Sequence, residues 1–143
     1  MKKYVVIFIF TKDYNEVLMV KRNKKPYMNL YNGIGGKIEE GETPIQAAIR
    51  ECMEETSIKL EDPKLLVTYH YSESVNINTN VELNVIYATH EKVNVEPNEE
   101  GEYSWKSMDF VMDFNNKLLA GYANVAQMIR EARINENLDN FYE

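Results

Sequence analysis

Seven apolar residues in succession, Tyr4–Phe10 (YVVIFIF), set the architecture before anything else does. An unbroken run of that length, rich in β-branched Val and Ile, reads as a strand buried in the interior. It is too short to cross a bilayer, and no small-residue cleavage site follows it, so neither a membrane span nor a secretory signal is expected. The expected location is the cytoplasm. The lone cysteine, Cys52, agrees: it rules out an internal disulfide and the usual zinc sets and fits a reducing compartment.

The rest of the chain follows from that first strand. Thr11–Asn15 carries Asp13 and Asn15 and should turn, which makes Glu16–Arg22 (EVLMVKR) the return strand of a hairpin. Lys24–Gly36 holds Pro26 and three glycines and reads as a loop, with a short extended piece around Leu30–Ile34. Thr43–Thr56 is the clearest helix. Thr43 is a good N-cap, Pro44 suits the first helical position, and Gln46 completes a capping box. Ile45, Ala48, Ile49, Cys52 and Met53 form one apolar stripe, which makes Cys52 a core residue. Two strands follow, Lys64–Ser72 and Val81–His90, joined by the polar stretch Ser74–Asn80. The acidic loop Val93–Gly101 leads to a short strand at Tyr103–Lys106. A second helix runs from Lys117 to about Arg133, with Leu118, Tyr122, Val125, Met128, Ile129 and Ala132 on one side. The order ββ-α-ββ-β-α predicts an α/β fold, a mixed sheet covered by helices. The 143 residues make one domain, Met1–Glu143.

The net charge is −7, from 16 basic and 23 acidic residues. Stable nucleic-acid binding needs a basic surface, and the only dense basic run is Lys21–Lys25, so no such binding is expected. The acids are the more informative group. On the first helix Glu51, Glu54 and Glu55 fall on one face beside the apolar stripe, where like charges three and four residues apart repel. Their grouping makes sense if a divalent cation sits among them. Oxygen ligands without thiolate favour a hard ion, and Mg²⁺ prefers a few carboxylates together with water and substrate phosphates. Gly33–Gly36 allows close backbone approach and supplies carbonyl oxygens, while Lys37 and Arg22 are placed to hold phosphate charge. Arg50, four residues before Glu54, can pair with an acid and orient the cluster. His70, His90 and Trp105 read as structural.

Taken together, Gly36, Glu42, Arg50-Glu51, Glu54-Glu55 and Ile58 have the spacing G-x5-E-x7-R-E-U-x-E-E-x-G-U, where U is aliphatic. This resembles the signature of the Nudix (MutT-like) hydrolase family. Two positions depart: Cys52 fills an aliphatic slot, and Ser57 replaces the late Gly, so Ser57 must take the turn that ends the helix. The resemblance implies a Nudix fold, an α/β/α sandwich with a mixed central sheet. It implies a hydrolase cleaving the P–O–P bond of a nucleoside diphosphate derivative with Mg²⁺, for which Mn²⁺ can substitute.

By the same resemblance Glu51, Glu54 and Glu55 bind the metal with a carbonyl at Gly36, and Arg50 and Glu42 orient the site. An acid outside the motif assists as ligand or base; Glu100 is the choice, with Glu99 and Glu102 as rivals. The catalytic set is then Glu51, Glu54, Arg50 and Glu100. Leu30–Lys37 (LYNGIGGK) resembles a stretch of the oxidised purine nucleoside triphosphate diphosphatases, in which the Asn bonds the purine ring. That makes Asn32 the base-reading candidate, with Asn115, Asn116 and Asn124 behind it. Other Nudix groups carry a Pro or Tyr marker beyond the motif, where this chain has Ser74 and Val75. The expected substrate is therefore an 8-oxo-dGTP-like nucleoside triphosphate, cleaved to monophosphate and pyrophosphate. A second reading is a domain that binds a nucleotide metabolite as a regulatory module; such domains usually lose motif acids, which this chain keeps. A homodimer is compatible with the sequence.

Overall fold

The computed structural model describes residues 1–25, 27–72, 80–113, 117–120 and 123–138. Its elements are β1 (Lys2–Phe10), β2 (Glu16–Arg22), β3 (Tyr31–Asn32), β4 (Ile34–Lys37), α1 (Pro44–Thr56), β5 (Lys64–Ser72), β6 (Asn80–Thr89), β7 (Gly101–Ser107), α2 (Met108–Val111) and α3 (Ala123–Asn135). The strands form one seven-stranded sheet in the order β3-β2-β1-β6-β5, with β4 on β1 and β7 on β2. β1 and β6 run parallel, from Lys2 opposite Val81 to Phe10 opposite Thr89, and the other pairings are antiparallel. The sheet is mixed, as expected.

The apolar run of β1 is explained by its two faces. Val5, Ile7 and Ile9 pack toward α1 with Ala48, Cys52 and Ile86. Val6, Phe8 and Phe10 pack on the opposite side with Tyr87, Val125, Ile129 and Ala132, under α3. Alternate side chains of a strand point to opposite faces, so a strand covered on both must be apolar at every position. Helices on both faces make an α/β/α sandwich.

α1 begins as its sequence predicts. The Thr43 hydroxyl accepts from the Gln46 N–H at 3.1 Å and the Gln46 side chain accepts from the Thr43 N–H at 2.9 Å, a complete capping box. Ser57 closes the helix in the left-handed conformation (φ 62°), its N–H donating to the Met53 carbonyl. Cys52 is fully buried in the α1-side core. Trp105 packs against the same core and donates its indole N–H to the Val93 carbonyl at 2.8 Å, a structural role.

Three expectations change. The second long helix starts at Ala123 rather than Lys117, because the Tyr31 N–H donates to the Leu118 carbonyl and the Ala120 N–H to the Tyr31 carbonyl, which holds this segment extended beside Tyr31. The Lys24–Gly36 loop contains two strands, since β3 pairs with Val20 and Lys21 and β4 with Tyr4–Ile7. β7 is longer than the expected Tyr103–Lys106 because it pairs with β2 along its whole length, and a short helix, α2, follows it. The expected stripe residue Tyr122 and most of the Ser74–Asn80 connection lie outside the described residues.

Candidate active site

β4 carries Gly35, Gly36 and Lys37 along the first half of β1, and α1 lies across them. The contact that fixes the geometry is between Gly36 and Glu51. A Cβ at Gly36 would lie 2.1 Å from the Glu51 Cδ and 2.5 Å from its Cγ and Oε1, so only glycine lets the carboxylate rest on the strand. Beside the ligand approach expected of this glycine, its missing side chain admits the helix's own glutamate.

Arg50 holds the cluster from the other side. Its Nε and Nη2 donate to Glu42 Oε2 and Oε1 at 2.7 and 2.8 Å, a two-pronged pair. Nη2 also donates to the Lys37 carbonyl at 2.9 Å, and Nη1 to Glu51 Oε1 at 2.8 Å. The Arg50 guanidinium, with the Glu39 N–H, holds the Glu42 carboxyl down at about 2. Arg50 therefore ties α1 to the turn before it and to β4. Glu54 is held most loosely: it lies 3.4 Å from Arg50 Nη1, and its side chain is 59% exposed against 14% for Glu51.

Burial pushes the Glu51 carboxyl up despite Arg50. Burial, then the charges of Glu51 and Glu100, pushes Glu55 up to about 8. Glu55 is thus the strained acid of the group. The Tyr103 hydroxyl lies 3.3 Å from Glu55 Oε2, and burial pushes that phenol up, so it stays a donor. Glu100 comes from the loop ahead of β7, where the Lys24 ammonium is 3.5 Å from its carboxylate.

Part of this cluster opens onto a cleft of about 920 Å³. Arg22, Asn32, Gly36, Lys37, Glu51, Glu55 and Glu100 all line it, as does Asn124 from α3. Glu54 and Arg50 are not in the lining, and neither are Glu99 and Glu102, the rivals of Glu100. Asn115 and Asn116 lie outside the described residues. The Asn32 side-chain Oδ1 accepts from the Gly33 N–H at 2.7 Å, which leaves its Nδ2 hydrogens and one Oδ1 lone pair for a ligand.

The sheet order separates two ends of the cleft, because β4, β1, β6 and β5 lie side by side. The acids gather over β4. Tyr69, His70 and Tyr71 of β5, with Tyr4 and Met128, wall the other end. Sequence reasoning missed this second wall and set His70 aside as structural; the tyrosine-rich alternation of β5 was the available signal. Among the described residues, no three His, Cys, Asp or Glu side chains already converge on one coordination point. The donor chemistry still fits a hard cation: Glu51, Glu55 and Glu100 offer carboxylate oxygens in one cleft, Gly36 leaves the room for one of them, and the only thiol is buried in the core.

Known proteins are similar to this chain in part of their sequence and in fold. The chain is 40% identical over 58 residues to the dihydroneopterin triphosphate diphosphatase of Haemophilus influenzae, a match covering 41% of this chain and 35% of that protein. It is 42% identical over 58 residues to the 8-oxo-dGTP diphosphatase of Escherichia coli K12, covering 40% of this chain and 45% of that protein. These matches therefore span less than half the length of those relatives. Among solved structures, the E. coli dihydroneopterin triphosphate pyrophosphohydrolase superposes with a TM-score of 0.73 at 22% identity, covering 94% of this chain and 95% of that one. The Nudix domain of Shewanella oneidensis NrtR, complexed with ADP ribose, gives 0.73 at 21% identity, covering 94% and 87%. Among the described residues, no helix is long and apolar enough to cross a membrane. The NUDIX domain profile matches residues 1–128, nearly the whole length, and the chain belongs to the Nudix family.

Proposed function

We propose that this chain is a Mg²⁺-dependent diphosphatase that cleaves a P–O–P bond of a nucleoside triphosphate, releasing a monophosphate and pyrophosphate. One observation carries the reading: three acids from two separate segments share a cleft in which burial and mutual repulsion push Glu55 up to about 8. A fold gains nothing from such crowding unless a cation offsets it. Glu51, Glu55 and Glu100 would hold the ion, with Gly36 beside them. When bound, Mg²⁺ neutralises charge on phosphate oxygens and makes water more acidic.

The chain's own residues supply the rest. Arg50 clamps Glu42 and Glu51, so the first carboxylate is set before substrate arrives. Arg22 and Lys37, both lining the cleft, bind phosphate oxygens. Glu54, exposed, outside the cleft lining and 3.4 Å from Arg50 Nη1, would turn toward the cleft and take a proton from water as the water oxygen attacks phosphorus and the bridging P–O bond breaks. Asn32 orients the heterocycle. The heads named in the two relatives, dihydroneopterin and 8-oxoguanine, share a fused ring with an amino-oxo pyrimidine edge, which an Asn amide can read. An oxidised purine nucleoside triphosphate is the substrate proposed first, and the cytoplasm is its setting, supported by the single buried cysteine.

The test is a panel containing 8-oxo-dGTP, dGTP and dihydroneopterin triphosphate, with Mg²⁺ or with EDTA, scored for pyrophosphate, orthophosphate and monophosphate. The expected products are equal amounts of pyrophosphate and monophosphate, only with metal, and a near-complete loss in Glu54→Gln. Tight binding of one nucleotide with no turnover of any would contradict hydrolysis and favour a regulatory binding domain.

A further inference from the structure

Glu55 and Glu100 are far apart in the chain, and something must hold α1 and the loop before β7 in register. Asn98 does so. Its Nδ2 donates to the backbone carbonyl of Glu55 at 2.9 Å, and its Oδ1 accepts from the backbone N–H of Glu100 at 2.9 Å. The two partners dictate the amide's orientation, since a carbonyl only accepts and an N–H only donates. Asn98 and Gly101 also exchange backbone hydrogen bonds of 3.1 and 3.2 Å, which closes the turn on which Glu100 sits. The Glu100 carbonyl accepts from the Asn23 N–H at 3.0 Å, so both main-chain polar groups of Glu100 are fixed. The Tyr103 hydroxyl is 3.3 Å from Asn98 Oδ1 and from Glu55 Oε2, and it joins the same side-chain amide to the carboxylate itself. Neither Asn98 nor Tyr103 lines the cleft.

We propose that Asn98, assisted by Tyr103, is a positioning residue that sets the separation of the Glu55 and Glu100 carboxylates and thereby the affinity of the cation site. This rests on the reading that those carboxylates hold a divalent ion. An asparagine that merely closed a turn would need only the Glu100 N–H contact. The second arm, to the helix carbonyl, has no part in the turn and spans the two segments that carry the acids. Such outer contacts change metal affinity by roughly 10–100-fold in proteins where they have been removed.

The experiment is a Mn²⁺ titration of the full chain without substrate, counting unbound Mn²⁺ by its paramagnetic resonance signal. It compares wild type, Asn98→Ala, Glu100→Gln and the double variant. Asn98→Ala should weaken Mn²⁺ binding roughly tenfold or more, and should add almost nothing once Glu100 is Gln, because its effect passes through that carboxylate. An equal loss in both backgrounds, or wild-type affinity in Asn98→Ala, overturns the proposal. If Asn98→Ala does not fold, Tyr103→Phe is read the same way against Glu55→Gln: weaker binding alone, no further loss in the double variant, and additivity as the contrary result. A wild type that binds no Mn²⁺ overturns the cation site itself. A wild type that binds while the variants match it overturns only the role of Asn98.

Discussion

Gly36 lacks a side chain because Glu51 occupies its place. Gly36→Ala would put a methyl 2.1 Å from the Glu51 carboxyl carbon, and the carboxylate would have to move by an ångström or more. Misplacing a reacting group by about 1 Å costs roughly 10²-fold in rate. Gly36→Ala should therefore lower kcat/KM by about that factor while retaining the folded circular dichroism spectrum; steady-state kinetics on the best triphosphate checks it, and unchanged kcat/KM would show that Glu51 need not rest there. At this scale the sequence was most informative where spacing alone constrains chemistry. The helical spacing of Glu51, Glu54 and Glu55, with Gly36 in the loop before them, is enough to group them, and Gly36, Glu51 and Glu55 line one cleft while Glu54 does not. Of the neighbouring acids Glu99, Glu100 and Glu102, the expected one, Glu100, lines the cleft and the other two do not. Asn98 and Tyr103 were invisible, since their importance comes from partners more than forty residues away.

Among the elements, α1 was legible because its signals are local. The cap, the proline, the stripe and the stop all lie within fifteen residues, and each agrees with the others. Ser57 is the exception that still obeys the rule, a non-glycine residue in the left-handed region. Ser57→Gly should raise stability by roughly 0.5–1 kcal/mol: about 1–2 kcal/mol of left-handed strain is relieved, less about 0.4–1 kcal/mol for the greater freedom of Gly in the unfolded chain. A higher urea midpoint at unchanged slope is the expected reading, and a lower one would show that Ser57 contributes more than its conformation costs. The start of α3 was misread for the opposite reason. Leu118–Ala120 has a helical pattern, but its backbone hydrogen bonds go to Tyr31, and no local signal reports a partner so distant. β3 and β4 were likewise hidden in a loop rich in Gly and Asn, because strands this short exist only through pairing with β2 and β1.

Over the whole molecule, the half-buried Glu55 couples the site to folding. Its carboxyl stands near 8 in the fold against 4.5 when unfolded, so the fold favours the protonated form. The cost of its charge is absent below about pH 4.5, grows as the pH rises toward 8, and is complete above that. In metal-free protein, the Tm of wild type should thus fall relative to that of Glu55→Gln between pH 5 and pH 9, and Mg²⁺ should narrow the gap at the alkaline end. Scanning calorimetry across that range checks it, and parallel curves would contradict the assigned strain. A sandwich of two cores around one sheet gives the cluster a rigid frame: β1 is packed on both sides, β4 is fixed to its edge, and α1 is pressed onto β4.

Glu51, Glu55 and Glu100 are proposed to grip a divalent cation against a phosphate chain. A crystal grown with Mn²⁺ and a non-hydrolysable nucleoside triphosphate analogue would show this directly through the anomalous signal of manganese. The expected peak lies among the Glu51, Glu55 and Glu100 carboxylates, with phosphate oxygens completing its shell. Manganese bound elsewhere, with those three side chains turned away from the nucleotide, would contradict it.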